Sequence, residues 1–197
     1  MTASSKTQKE ILILLATDFT KEHNASSLAR ELGITRVGTF KALKELEGDG
    51  LVKGKKFGKS TFYSVDLNDN YTRKNLEILL IEKARQYPRW LDEFKDLCKQ
   101  ARLVILFGSI LRDEDKAKDI DLLMVLDKDN NAQVNSLISG KNQILTKKIH
   151  AIKQTEEDFR KNIGKQDKIV ISAIRYGVVL CGYDLLMEAV KNAASRK

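Results

Sequence analysis

A chain of 197 residues, 42% hydrophobic and 31% charged, can bury one sizeable core or two small ones. Its longest apolar runs, such as residues 11–16 and 103–107, fall far short of the roughly 20 residues that cross a bilayer, which leaves a membrane out of the expected partners. The net charge of +8 favours polyanionic partners such as nucleic acid or nucleotide phosphates.

The polar opening MTASSKTQKE lacks the apolar stretch of a secretory signal, so a cytoplasmic location is expected. Two cysteines, Cys98 and Cys181, lie far apart without CxxC or Cys/His spacing. That argues against a disulfide framework or a structural zinc, and both read as buried apolar residues. One proline, Pro88, and the absence of repeats or low-complexity runs predict compact, helix-rich folding.

Thr7 and Glu10 read as a capping box that opens a first helix with Ile11, Leu12, Leu14 and Leu15 on its buried stripe. Asn24 can cap a short second helix carrying Leu28, Ala29 and Leu32, and Gly33 supplies its stop. Thr35 then caps a third helix, ending at Gly48 or Gly50. Its Val37, Phe40, Leu43 and Leu46 recur at the spacing of a core-packing face. Strands over 51–55 and 61–65, joined by a loop rich in glycine and lysine, complete a helix, turn, helix and hairpin.

This segment, SSLARELGITRVGTFKALKELEGDGLVKGKKFGKSTFYSV, resembles the winged helix-turn-helix regulators of bacteria and archaea. The resemblance implies that the third helix enters the major groove of double-stranded DNA through Thr35, Arg36, Lys41 and Lys44. Lys53, Lys55, Lys56 and Lys59 would carry the wing, and a homodimer on a pseudo-palindromic site is implied as well. Between residues 51 and 65 these four lysines stand with no acidic residue. Taken alone, a lysine run is a solvated face, and a protein-interaction role for the winged helix stays open.

Residues 70–86 read as a helix with Leu76, Leu79, Leu80 and Ile81 on its apolar side, ended or kinked by Tyr87 and Pro88. A second helix is expected to run to Gln100, with Trp90, Leu91, Phe94 and Leu97 at helical spacing as packing residues.

The stretch LVILFGSILRDEDKAKDIDLLMVLD, residues 103–127, carries the most chemistry. An apolar strand ends at Gly108 and Ser109, and a second strand carries Asp119 and Asp121 on one face by alternation. Two ionised carboxylates about 6 Å apart repel by roughly 2.5 kcal/mol at an effective dielectric of about 20, a cost that a divalent cation reverses. Mg²⁺ suits paired hard oxygens and completes its shell with water and substrate phosphates.

The pattern resembles the nucleotidyltransferase superfamily of DNA polymerase beta, kanamycin nucleotidyltransferase and, closest in size, the minimal nucleotidyltransferases, over about residues 100–185. The resemblance implies that Gly108 and Ser109 hold a nucleoside triphosphate, and that Asp119 and Asp121 bind Mg²⁺ or Mn²⁺ and act in catalysis. A third carboxylate from a later strand would activate the acceptor hydroxyl. This sequence departs from that pattern. Nine residues (110–118) separate Ser109 from Asp119, slightly fewer than usual, and Asp113 stands where glycine is common. The expected third strand, residues 147–153, holds no acid, and His150 occupies the third carboxylate's place. His150 reads either as a residue packed beside the sheet or as a neutral imidazole base, the packed reading slightly favoured. The acids of TEEDF read as a helix N-terminus.

Beyond it, a helix through Val170, Ile171, Ala173 and Ile174 and a short strand over 178–180, broken by Gly182, are expected. The segment YGVVLCGYDLLMEAVK resembles the C-terminal part of archaeal nucleotidyltransferase proteins with an attached winged helix.

The expected architecture is α+β: a winged helix over 1–66, a helical connector over 67–100, and a small mixed sheet flanked by helices over 101–197. The function expected is a DNA-binding transcriptional regulator whose second domain binds triphosphate and Mg²⁺ as a sensor or low-activity transferase. The alternative is an active nucleotidyltransferase acting on a hydroxyl of a protein, RNA or small molecule. A toxin-antitoxin interaction module is a third reading, from family analogy alone.

Overall fold

The computed structural model describes residues 5–194, so the first four residues of the polar opening and the last three of the chain lie outside the described residues. Two compact units divide between Leu79 and Leu80. In the first, α1 (Lys6–Thr17), β1 (His23–Asn24), α2 (Ala25–Leu32) and α3 (Arg36–Gly48) precede a hairpin of β2 (Val52–Phe57) and β3 (Ser60–Val65). The antiparallel sheet has the order β1-β3-β2. Three helices followed by a β-hairpin, with a short strand after the first helix, form a winged helix-turn-helix.

Local chemistry sets the helix ends. Asn24 caps α2 by accepting from the Ser27 backbone N–H, and Gly33 ends it in the left-handed conformation open to glycine (φ 65°). Thr35 caps α3 by accepting from the Gly38 N–H. The capping box of α1 is Ser5 with Gln8, two residues before the Thr7 and Glu10 pair expected, because Ser5 has the extended backbone a cap needs and Thr7 is already helical. Ile11, Leu12, Leu15, Leu28, Leu43, Leu46 and Leu51 make the core. A buried hydrogen bond lies among them, between Asp18 Oδ2 and His23 Nε2 at 3.1 Å.

α3 departs from expectation. Thr39, Ala42, Leu43 and Leu46 form its buried side, whereas Val37 and Phe40 are 82% and 51% exposed. A three-residue spacing drifts by 60° per step around a helix of 3.6 residues per turn, so four such positions cannot share one narrow face.

α4 (Asn70–Ala84) contains the division between the units. Leu76, Leu79 and Leu80 are buried, but Ile81 is exposed. The single helix expected up to Gln100 is two, α5 (Pro88–Glu93) and α6 (Lys95–Gln100), interrupted at the fully buried Phe94. Trp90 and Phe94 stack with centroids 5.7 Å apart, and both belong to the second unit's core.

The rest of that unit is β4 (Leu103–Phe107), β5 (Asp119–Val125), α7 (Asn131–Ile144), β6 (Lys148–Gln154), α8 (Glu156–Gly164), α9 (Lys168–Tyr176), β7 (Val178–Cys181) and α10 (Tyr183–Ala194). The sheet order is β6-β5-β4-β7, with β5 and β6 parallel and the other pairs antiparallel. Along β5 the pleat sends Ile120, Leu122 and Met124 into the core with Trp90 and Phe94 and leaves Asp119 and Asp121 on the opposite face. The sheet also brings together the two cysteines that are distant in sequence. Both are half-buried free thiols, with Cys181 Sγ 4.0 Å from the Cys98 carbonyl oxygen. The whole is an α+β fold, and no helix among the described residues is long and apolar enough to cross a membrane.

Candidate functional site

The carboxylate site is assembled at the turn between β4 and β5. Antiparallel pairing sets Phe107 opposite Asp121, so the residue after Phe107 meets that carboxylate. Gly108 there has φ 86° and ψ −157°, a region essentially reserved for glycine. A Cβ added to it would stand 2.1 Å from Asp121 Oδ2. The glycine therefore serves both the backbone turn and the room that the carboxylate occupies.

Ser109 starts a single 3₁₀ turn, residues Ser109–Leu111. Its carbonyl accepts from the N–H groups of Arg112 and Asp113, both at 3.0 Å. Asp113, the residue standing where glycine is common, is used within its own turn. It accepts from the Lys116 N–H and pairs with the Lys116 ammonium at 2.9 Å, which holds its carboxyl below the usual range. The shortened spacer is thus closed by local hydrogen bonds.

Asp119 and Asp121 are half-buried on one face of β5, as alternation predicts. His150 lies beside Asp121 in the parallel register of β5 and β6, with Nδ1 3.2 Å from Asp121 Oδ1. Its side chain is 68% exposed, which corrects the favoured reading of a residue packed beside the sheet: it is open to solvent and directed at a site carboxylate.

The acids after β6 do not supply the missing carboxylate. Glu156 pairs with Arg102 and Arg160, and Asp158 accepts from the Thr155 hydroxyl at 2.7 Å. They begin α8 beyond Gln154, the last residue of β6. At about 3.3 Å per strand residue, that end of the strand is about 13 Å from His150.

Among the described residues no group of three or more His, Cys, Asp and Glu side chains stands where it could hold a metal ion. Two carboxylates remain as donors. Mg²⁺ typically takes one or two carboxylates and fills its shell with water and substrate phosphates, so Asp119, Asp121 and the close backbone approach at Gly108 fit a metal-bound triphosphate.

In the first unit, the first three turns of α3 expose Arg36, Val37, Phe40, Lys41 and Lys44. Lys44 pairs with Glu47 at 2.7 Å, which raises the lysine's pKa, and its ammonium is 5.9 Å from the Phe40 ring centroid. On the hairpin, Lys53 is tied to Asp66 and holds that carboxyl below its ordinary value. The lysine cluster is therefore not wholly uncompensated: an acid one residue past the acid-free stretch neutralises its first member. Lys55 lies over the Phe57 ring at 4.9 Å, and Lys56 and Lys59 are exposed near the turn. Among the features missed by sequence reasoning are the exposed Val37 and Phe40 and the pairing of Asp18 with His23.

Residues 89–180 match the family model of the nucleotidyltransferase domain. No curated protein matches the chain. Among solved structures, a mutant of ZitR from Lactococcus lactis is 22% identical with a TM-score of 0.34, the match covering 48% of this chain and 60% of that one. The adhesin competence repressor AdcR of Streptococcus pyogenes is 20% identical with a TM-score of 0.36, covering 57% of this chain and 83% of that one. The order and pairing of the first unit's elements are those of a winged helix-turn-helix.

Proposed function

We propose that the protein is a DNA-binding transcriptional regulator whose second unit, matched over residues 89–180 by the nucleotidyltransferase family model, binds a nucleoside triphosphate with Mg²⁺ or Mn²⁺ as a sensor or low-activity transferase. The observation that carries the reading is the conjunction of a glycine cradle against Asp121 with an imidazole where a third carboxylate would stand. The cradle and the two carboxylates fit binding, whereas His150 alters the group that would activate an acceptor.

For binding, Gly108 would let the backbone approach the phosphates, Ser109 would offer its hydroxyl and amide, and Asp119 and Asp121 would hold the cation, which would supply charge neutralisation. α3 enters the major groove and the hairpin follows the phosphate backbone, with Arg36, Lys41, Lys55, Lys56 and Lys59 as the main cations, Thr35 at the helix start, and Lys44 and Lys53 weakened by their own acids. A homodimer on a two-fold DNA site belongs to the same reading.

One observation favours the alternative, an active transferase: His150 is exposed and hydrogen-bonded to Asp121, where a general base for an acceptor hydroxyl would stand. Incubation with each labelled triphosphate and Mg²⁺ or Mn²⁺, read for transfer to protein, DNA and RNA, separates the two. The sensor reading expects metal-dependent binding with slow or no transfer. Rapid transfer that is lost in Asp119→Asn and in His150→Ala establishes the enzyme instead.

A further inference from the structure

The exposed apolar pair on α3 lies within a cationic frame. Opposite the buried Thr39, Ala42, Leu43 and Leu46, successive residues at 100° intervals place Val37, Lys41 and Lys44 at the centre of the outer face, with Phe40 and Arg36 beside them. From Thr35 to Lys44 there is no acidic residue. The hairpin adds Lys55, Lys56 and Lys59. A surface so charged attracts a polyanion, yet two hydrocarbon side chains, Val37 and Phe40, stand exposed among its cations. Its complement must present apolar groups between phosphates.

The major groove of DNA does so at one natural base, since the C5 methyl of thymine is the apolar group among the donors and acceptors of the base edges. Resting on the proposal that α3 and the hairpin bind duplex DNA, we infer that Val37 and Phe40 read thymine methyl groups, so that the preferred site carries thymines under the first two turns of α3. Those turns are the part of a recognition helix that reaches base edges. The two side chains offer neither donor nor acceptor, so a wrong base is rejected because it presents no methyl group to them. This is a specificity distinct from any bidentate hydrogen bond by Arg36.

The full chain is used to select sites from a random duplex library, and the selected duplex is resynthesised with deoxyuridine for thymidine at single positions. Affinities are then read by fluorescence anisotropy. Uracil keeps thymine's hydrogen-bonding pattern and lacks only the methyl. Wild-type protein should lose about fourfold in affinity for each contacted methyl removed, the factor expected for exposing one buried carbon. Val37→Ala and Phe40→Ala should bind the thymine duplex more weakly and become indifferent to uracil at the position each contacts. Both residues are exposed, and an unchanged melting temperature confirms that the variants fold.

Equal wild-type affinity for the thymine and uracil duplexes overturns the inference while leaving DNA binding intact. The same holds if both variants keep full affinity and uracil sensitivity, or if they alter only self-association. Failure to bind any duplex at low salt overturns the DNA-binding proposal and the methyl reading together.

Discussion

Replacing Gly108 with alanine tests whether this glycine serves the site or only the turn. The substituted residue would be held at φ 86° and ψ −157°, a region that costs a residue with a Cβ about 1–3 kcal/mol. The new methyl would lie 2.1 Å from Asp121 Oδ2 and 3.1 Å from its Cγ, so the carboxylate must turn aside. Forcing that side chain off its rotamer costs about 0.5–1.5 kcal/mol more. The sum, about 1.5–4.5 kcal/mol, fits within the roughly 5–15 kcal/mol by which domains are commonly stable. The variant should therefore fold, unfold at lower denaturant, and have a displaced Asp121. Urea denaturation reads the first effect, and calorimetry of Mg²⁺-dependent triphosphate binding reads the second. A folded Gly108→Ala that binds metal and triphosphate like the wild type would refute the cradle.

Three other consequences concern the first unit. Changing Lys55, Lys56 and Lys59 to alanine should reduce the log–log salt slope of duplex binding by up to about 2.7, at about 0.9 for each phosphate no longer neutralised; Lys53→Ala should change it less, and four equal effects would contradict the pairing of Lys53 with Asp66. The Asp66 carboxyl, held below its ordinary 3.8 chiefly by the Lys53 hydrogen bond, should titrate upward by NMR in Lys53→Ala. Because the folded value is the lower one, the stability it contributes is present above 3.8 and lost as pH falls through the folded value, and an unmoved titration in the variant would remove this linkage. Asp18→Ala, which removes the carboxylate hydrogen-bonded to the buried His23, should cost about 1–3 kcal/mol in denaturant unfolding, and no measurable loss would show that the pair is not held as described.

Features governed by neighbouring residues are legible in the sequence. Asn24 and Thr35 cap helices because a short side-chain oxygen reaches an N–H three residues on, a relation written in consecutive letters. Gly108 at a strand end and Asp119 and Asp121 on one face follow from period two in the same way. His150 is visible there only as a residue type. Its approach to Asp121 depends on the parallel register of strands separated by α7, which no local pattern encodes. The exposure of Val37 and Phe40 is hidden because apolar residues at helical spacing do not say which side of the helix the core takes; Thr39 and Ala42, less apolar but on the right side, take the buried places. The adjacency of Cys98 and Cys181 likewise arises from packing of α6 against β4 and the pairing of β4 with β7, which spacing arguments do not reach.

Asp119 and Asp121 are proposed to hold a divalent cation shared with a nucleoside triphosphate. The most direct test is a calorimetric titration of triphosphate, with and without Mg²⁺, into the wild type, Asp119→Asn and Asp121→Asn. Relief of the repulsion between two close carboxylates predicts that Mg²⁺ tightens wild-type binding by on the order of tenfold or more, with the gain lost in either variant. Binding in the two variants that Mg²⁺ strengthens as much as in the wild type would show that neither carboxylate holds the cation.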